Sequence, residues 1–213
     1  MIVFRKPFVF LDSTMGKVCP SEIKKWKKEG FELIVFLGSQ ASNIEKGILP
    51  ITELPGLNAD SVAQWLDAQL VAWAYQCDPP VELAFKNALI IGYGAVGGAL
   101  SGILRGRKMD VTPFDKDFAW CNNEKLCEYL KKADFIFVCL PFSNETKGFF
   151  NGLAHCFKQK HVLFSISRPE VMKEYPWNFV SDSKHQAWLT SEVMERKKRI
   201  TEEYGLEKEG LKT

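Results

Sequence analysis

The sequence predicts an α/β protein built on a doubly wound parallel sheet, with helices on both of its faces. Strand and helix patterns alternate across residues 87–167 in the order β-α-β-α-β-α-β. The runs ADFIFVCLP (133–141) and HVLFSIS (161–167) are also apolar throughout. Strands without polar alternation are typical of a parallel sheet that is covered on both faces.

A smaller β-α-β unit is predicted ahead of this sheet. PFVFLDS (7–13) and FELIVFLGS (31–39) are short apolar runs that end in turn residues. The Lys-rich segment between them, SEIKKWKKEG (21–30), is predicted to be a helix that Ser21 caps and Gly30 ends.

The middle and the end of the chain are predicted to hold two further helices. Residues 47–58 contain prolines and glycines that indicate a brief strand and a loop crossing between domains. From residue 59 to 77, apolar residues recur at three- and four-residue spacings and predict a helix with a wide apolar face, which Pro79 and Pro80 end. The mixed charges of residues 191–213 predict a solvated helix with one docking face.

Composition excludes several classes of protein. Hydrophobic residues at 46% and charged residues at 25% argue against disorder, and a net charge of +2 argues against nucleic acid as a partner. No run approaches the roughly 20 apolar residues of a membrane span, and the start has no apolar stretch of signal-peptide length. Without CxxC pairs or zinc-type spacings, the cysteines predict reduced thiols in a cytoplasmic protein with no metal site. They are Cys19, Cys77, Cys121, Cys127, Cys139 and Cys156.

A glycine-rich turn follows the apolar run ALII. Gly92, Gly94 and Gly97 form GxGxxG between this strand and a helix, the setting in which the motif lets a pyrophosphate approach the backbone amides. Asp115, at the end of the next strand, can accept from a ribose and repel a 2′-phosphate, which favours NAD over NADP. The residues alone leave open a simple packing turn with a surface aspartate.

Four segments resemble motifs of one family. LGSQASNIEKGILPITELPGLNADSVAQWLDAQL is similar to a substrate loop, an interdomain crossing and a long helix, and ADFIFVCLPFSNETKGFFN to a later strand and loop. VLFSISRPEVM and HQAWLTSEVMERKKRI are similar to the segments that carry an active-site arginine and histidine. Together they cover roughly residues 31–200 and resemble the D-isomer-specific 2-hydroxyacid dehydrogenases. The resemblance implies a Rossmann-like NAD-binding domain.

The resemblance also implies the site residues. Arg168 falls on the family's carboxylate-binding arginine and His185 on its acid/base. The implied substrate contacts are Gly38, Ser39, Gln40 and Arg168. The implied cofactor contacts are Gly92, Tyr93, Gly94, Ala95, Val96, Gly97, Asp115, Lys116, Leu140, Pro141, Thr146, Ser167 and Asp182.

The chain departs from the family pattern at two places. The second α/β domain, which would bind substrate, is truncated to residues 1–57 plus about 186–213, beside a dinucleotide-binding domain of residues 58–185. Arg168 and His185 lie only 17 positions apart, without the family's acidic partner of the histidine. A shortened domain would leave apolar residues of the long helix uncovered, which predicts a homodimer. The residues expected to contribute are Trp65, Leu66, Leu70 and Trp73.

Two functions of different classes follow from this pattern. The first is an NAD-dependent oxidoreductase that interconverts a small 2-hydroxy acid and its 2-keto acid by hydride transfer. The second is a non-catalytic NAD(H)-binding relative that acts as a sensor or a subunit. Retention of Arg168 and His185 favours the enzyme, whereas the missing acid and the truncated domain favour the binding protein.

Overall fold

The chain forms two compact units, residues 1–58 with 189–213 and residues 59–188. The computed structural model describes residues 2–12, 17–38, 44–54, 56–119, 122–158, 161–167, 171, 179–181, 187 and 190–209. In chain order the elements are β1 (Ile2–Arg5), β2 (Phe8–Leu11), α1 (Pro20–Lys28), β3 (Leu33–Phe36), β4 (Ile51–Glu53), α2 (Ala59–Gln76), β5 (Asn87–Ile91), α3 (Ala95–Gly106), β6 (Asp110–Phe114), α4 (Asn123–Lys132), β7 (Phe135–Val138), a 3-10 helix (Ala154–Cys156), β8 (Val162–Ser165), β9 (Phe179–Ser181) and α5 (Ser191–Glu209).

The first unit is a four-stranded sheet in the order β1-β2-β3-β4, in which only β1 runs antiparallel to its neighbour. The predicted β-α-β unit is confirmed as β2, α1 and β3, and the brief strand of residues 47–58 as β4. Alternate strand residues enter two apolar clusters because successive side chains of a strand point to opposite faces. One cluster includes Val9, Leu11, Ile34 and Phe36 with Ile23 and Trp26 of α1; the other includes Phe8, Phe10, Val35 and Leu37.

The start of α1 differs from the prediction. Cys19, not Ser21, is the N-cap, and the Cys19 amide donates to Glu22 Oε2 at 2.9 Å. Pro20 accounts for the difference, because its fixed φ suits the first helical position and it has no N–H to satisfy. Gly30 has φ +88° and follows the helix end, as predicted.

Helix α5 docks on the first unit along one face. Val193, Lys197 and Thr201 are buried at four-residue spacing, whereas most of the neighbouring positions are exposed. Lys197 Nζ lies 2.9 Å from Asp12 Oδ2, and both side chains are only 1% exposed. The solvated helix with one docking face is therefore confirmed, with a buried ion pair inside that face.

The second unit is a five-stranded parallel sheet in the order β6-β5-β7-β8-β9. Helices α2 and α3 pack on one face, in a cluster that includes Ile90, Phe137, Leu66 and Leu104. Helix α4 packs on the other face, in a cluster that includes Leu89, Ile136, Leu126 and Leu130. The doubly wound sheet is confirmed, but the described residues between β7 and β8 form turns and the 3-10 helix in place of the predicted third α-helix. β9 adds an edge strand that the sequence pattern did not predict.

Two expectations about side chains are wrong. Leu66 and Leu70 of α2 are fully buried in their own unit, so they cannot contribute to an interface between copies. Cys127 and Cys156 are joined by a disulfide instead of being reduced thiols. Among the described residues, no helix is both long and apolar enough to cross a membrane.

Candidate dinucleotide-binding site

The glycine loop lies at the point where the order of strands reverses. It joins β5 to α3, and β5 lies between β6 on one side and β7 on the other. In open α/β sheets, ligands bind in the crevice outside the carboxyl ends of such strands. Ala95 and Val96 form the first turn of α3, and Ala95 is exposed.

The three glycines of this loop meet different surroundings. Gly92 has φ +91°, and a Cβ there would lie 2.8 Å from the Cys139 carbonyl oxygen. A Cβ at Gly97 would clash with the Gly92 carbonyl oxygen, so α3 packs directly on the loop. A Cβ at Gly94, the N-cap of α3, would meet nothing within 4 Å. Open space therefore adjoins the first amides of α3, which as helix N-terminal amides have no partner within the helix, and this fits a pyrophosphate.

The Asp115 carboxylate is held against the glycine loop. The Tyr93 amide donates to Asp115 Oδ2 at 2.6 Å, and the Asp117 amide donates to Oδ1 at 3.2 Å. The Gly92 amide also donates to the Phe114 carbonyl at 2.9 Å, which keeps the ends of β5 and β6 together. Each carboxylate oxygen retains a lone pair for another donor, such as a ribose hydroxyl.

Lys116, beside this carboxylate, pairs with a residue from another loop. Its Nζ lies 2.8 Å from Glu145 Oε2, and both side chains are largely exposed. The hydrogen bond between them raises the pKa of Lys116 and lowers the pKa of Glu145. The cation that follows Asp115 is therefore already paired with a carboxylate.

Side-chain hydroxyls form hydrogen bonds with the backbone of the loop after β7. Thr146 Oγ1 donates to the Pro141 carbonyl and accepts from the Ser143 amide at 2.8 Å. Ser167 Oγ donates to the Leu140 carbonyl at 2.8 Å. The hydroxyls of Thr146 and Ser167 thus hold the backbone of Leu140 and Pro141 in place. Burial raises the pKa of the adjacent Cys139 thiol to about 12, so this cysteine is a neutral thiol.

The predicted catalytic residues are not among those that the structure describes. Arg168, His185, Asp182, Ser39 and Gln40 lie outside the described residues. Gly38 is described at the end of β3, where its amide donates to the Phe36 carbonyl at 2.9 Å. The structure therefore brings together the predicted cofactor contacts from Gly92 to Ser167.

Sequence reasoning missed Glu145. Glu145 directly precedes Thr146, a predicted cofactor contact, in the segment SNETKGFF, and this position is the feature of the sequence that could have pointed to it. Its pairing with Lys116 joins two loops 29 residues apart, a contact that the spacing of the sequence does not reveal.

Comparisons with known proteins agree with this geometry. Residues 58–205 match the family model described as D-isomer specific 2-hydroxyacid dehydrogenase, NAD binding domain. A hydroxypyruvate reductase of Blautia hydrogenotrophica is 30% identical over 135 residues, which cover 50% of this chain and 42% of the relative. The chain thus matches less than half the length of that curated relative.

Solved structures share the fold at low sequence identity. The NAD+-bound 3-phosphoglycerate dehydrogenase of Entamoeba histolytica has a TM-score of 0.72 at 20% identity, covering 91% of this chain and 78% of that one. The D-lactate dehydrogenase of Aquifex aeolicus, complexed with NAD and lactic acid, has a TM-score of 0.72 at 16% identity, covering 92% and 80%. The match to the NAD binding domain confirms NAD, predicted from the glycine loop and Asp115, as the cofactor. The chain belongs to the D-isomer specific 2-hydroxyacid dehydrogenase family, and residues 58–205 correspond to its NAD binding domain.

Proposed function

We propose that the protein is an NAD-dependent oxidoreductase that interconverts a small 2-hydroxy acid and its 2-keto acid. The observation that carries the proposal is the open space at Gly94 beside the α3 amides, with the Asp115 carboxylate held against the same loop. The relative named hydroxypyruvate reductase and the D-lactate dehydrogenase complexed with lactic acid support a small acid as the substrate class.

The proposed chemistry needs two side chains besides the cofactor, which supplies the hydride when bound. Arg168 binds the substrate carboxylate, because a planar guanidinium can donate two parallel hydrogen bonds to it. His185 gives a proton to the substrate oxygen as the carbonyl is reduced and takes it back in the reverse direction. The loop of Gly38, Ser39 and Gln40 is proposed to contact the same carboxylate.

A panel of 2-keto acids tests this function. Each is mixed with the full chain and NADH, and the loss of NADH absorbance is followed. We expect turnover with at least one small keto acid and much less turnover by His185→Gln on the same substrate. Absence of turnover with every acid in the panel, from a protein that binds NADH, would contradict the proposal.

A non-catalytic NAD(H)-binding relative, acting as a sensor or a subunit, is the second candidate. It is favoured by the short spacing between Arg168 and His185, which leaves out the family's acidic partner of the histidine. Calorimetry separates the two candidates. NADH binding without turnover on any keto acid would favour this second function.

We further propose that the protein is a cytoplasmic homodimer. Trp65 and Trp73 of α2 are only half-buried, while Tyr75 at the end of α2 is 76% exposed and Phe85 is 75% exposed. Light scattering at tens of micromolar tests the dimer, with Tyr75→Ser expected to weaken it. A monomer at that concentration would contradict it, and cell fractionation tests the location.

A further inference from the structure

Two cysteines and a histidine form a cluster outside the predicted cofactor contacts. A disulfide joins Cys127 of α4 to Cys156 of the 3-10 helix. His155 Nε2 lies 3.4 Å from Cys156 Sγ and 3.9 Å from Cys127 Sγ. Cys156 is 1% exposed, Cys127 is half-buried and His155 is exposed. Cys127 is therefore the more exposed of the two cysteines, and an imidazole nitrogen lies within hydrogen-bonding distance of both sulfurs, nearer to that of Cys156.

We propose that Cys127, Cys156 and His155 form a reversible thiol–disulfide site, opened by a dithiol reductant, that sets the affinity of the protein for NAD(H). Here a histidine lies where it can stabilise a departing thiolate, which speeds thiol–disulfide exchange. The proposal rests on the proposed contacts of the 140–146 loop with the cofactor, and not on turnover.

The exposures of the two cysteines indicate which sulfur the reductant attacks. A thiolate of the dithiol attacks Sγ of Cys127, the more exposed cysteine, and a mixed disulfide forms as the Cys127–Cys156 bond breaks. The electron pair goes to Cys156 Sγ, which can accept a hydrogen bond from His155 Nε2–H and takes up from solvent the proton that the attacking thiol released. The second thiol of the reductant then attacks the mixed disulfide and releases the Cys127 thiol. The protein gains two thiols, and the reductant becomes a cyclic disulfide.

A run of backbone hydrogen bonds leads from this site to the loop after β7. The Cys156 amide donates to the Leu153 carbonyl at 2.9 Å, and the Leu153 amide to the Phe150 carbonyl at 3.0 Å. The Phe149 amide donates to the Thr146 carbonyl at 3.1 Å, and the Thr146 hydroxyl holds Pro141. The disulfide fixes the far end of this series of turns to α4. Opening it lets the turns, and with them the Leu140–Pro141 backbone, sample positions that bind the cofactor less well.

The first experiment measures the exchange itself. The full chain is oxidised with a disulfide reagent and then reduced with dithiothreitol, and the Cys127–Cys156 linkage is followed by peptide mass spectrometry. We expect the linkage to form, to open completely, and to open about tenfold more slowly in His155→Phe, which keeps a ring but removes the donor. Cys77→Ser, which removes a free cysteine elsewhere, is the matched control and should change nothing. Failure to form the linkage, or equal rates of opening in the parent protein and in His155→Phe, would overturn the proposal.

The second experiment measures NADH binding by calorimetry in the oxidised and reduced states. We expect the Kd to rise about fivefold on reduction, at the lower end of typical couplings between sites. Cys127→Ser with Cys156→Ser should match the reduced protein whether or not reductant is present. Equal Kd values in the two states would overturn the proposal. So would a reduced protein that takes up one equivalent of Zn²⁺ and can no longer be oxidised, because the cluster would then be a metal site.

Discussion

Replacing Gly94 with alanine should separate cofactor binding from folding. Gly94 has φ −76° and ψ −156°, an extended conformation that alanine can adopt, and its Cβ would meet nothing within 4 Å. The cost to stability is then limited to the poorer N-cap preference of alanine, about 0.5–1 kcal/mol. By contrast, the methyl group would project into the open space beside the first amides of α3.

The expected loss of affinity follows from that placement. A pyrophosphate that reaches these amides accepts charge-assisted hydrogen bonds, each worth roughly 1.5–3 kcal/mol. A methyl group that moves the phosphate away from the amides by about the length of one covalent bond breaks at least one of these hydrogen bonds. Since each 1.4 kcal/mol is a factor of ten, NADH should bind about tenfold to a hundredfold more weakly.

Gly98→Ala is the matched control for this change. Gly98 lies one turn further along α3, and its Cβ would also meet nothing within 4 Å. Alanine there should raise the free energy of unfolding by about 0.8–1 kcal/mol through helix propensity and leave NADH affinity unchanged. Calorimetry with NADH and urea unfolding measure both quantities. If Gly94→Ala binds NADH as tightly as the parent protein, pyrophosphate does not occupy this space and the site assignment is wrong.

Three further changes test other parts of the molecule. Asp115→Asn keeps an acceptor for the Tyr93 amide but removes the negative charge that repels a 2′-phosphate. The preference for NADH over NADPH, measured by calorimetry, should therefore fall by about tenfold, which corresponds to roughly 1.4 kcal/mol for a charge at a partly solvated site. Arg168→Lys should mainly raise the KM for the keto acid, whereas His185→Gln should lower kcat by about two to four orders of magnitude, with NADH affinity unchanged in both. Lys197→Met should lower the free energy of unfolding, measured by urea titration, by about 3–5 kcal/mol, because the buried Asp12 carboxylate loses the Lys197 ammonium. Adding Asp12→Leu to Lys197→Met should restore part of that loss.

The position of Asp115 could be predicted because strand register is a local consequence of the parallel sheet. Phe114 is the partner of Ile91 in the β5–β6 ladder, so the residues that follow each strand emerge side by side. A glycine turn after one strand and a carboxylate after the next must therefore meet. Lys116 and Glu145 follow no such rule, because they reach each other from two irregular loops whose backbone course the sequence does not specify.

The strands that were missed are those that carry no periodicity. β1 has four residues, and its Phe4 is 53% exposed at the edge of the sheet. β9 has only three residues. Length is not the cause, because β2, β3, β7 and β8 are also four residues long. Those strands are almost fully buried within longer apolar runs, whereas β1 is a half-buried edge strand and the two apolar residues of β9 stand between polar ones. Both pair at the edge of a sheet whose central strands were predicted correctly, so their position depends on tertiary contacts.

The apolar face of α2 shows a different limit. Periodicity correctly predicted a helix from Ala59 to Gln76 and a wide apolar face. It could not tell which surface covers that face, and Leu66 and Leu70 pack into the helix's own unit, beside α3 and the sheet. Only side chains at the margin of the face, such as the 76%-exposed Tyr75, remain available to a partner.

The Cys127–Cys156 pair depends on the rotation of α4. Leu126 and Leu130 are four residues apart and fully buried, so they direct one face of α4 to the sheet. Cys127 follows Leu126 and is turned by about 100° around the helix axis, which places it on the flank of α4. The 3-10 helix lies along that flank, because Phe150, Leu153 and Phe157 are buried in the same cluster as the two leucines. The spacing of the cysteines in the sequence does not reveal how α4 is rotated about its axis. A Leu126→Ala substitution that loosens α4 should therefore also slow the re-formation of the disulfide after reduction, which peptide mass spectrometry can measure.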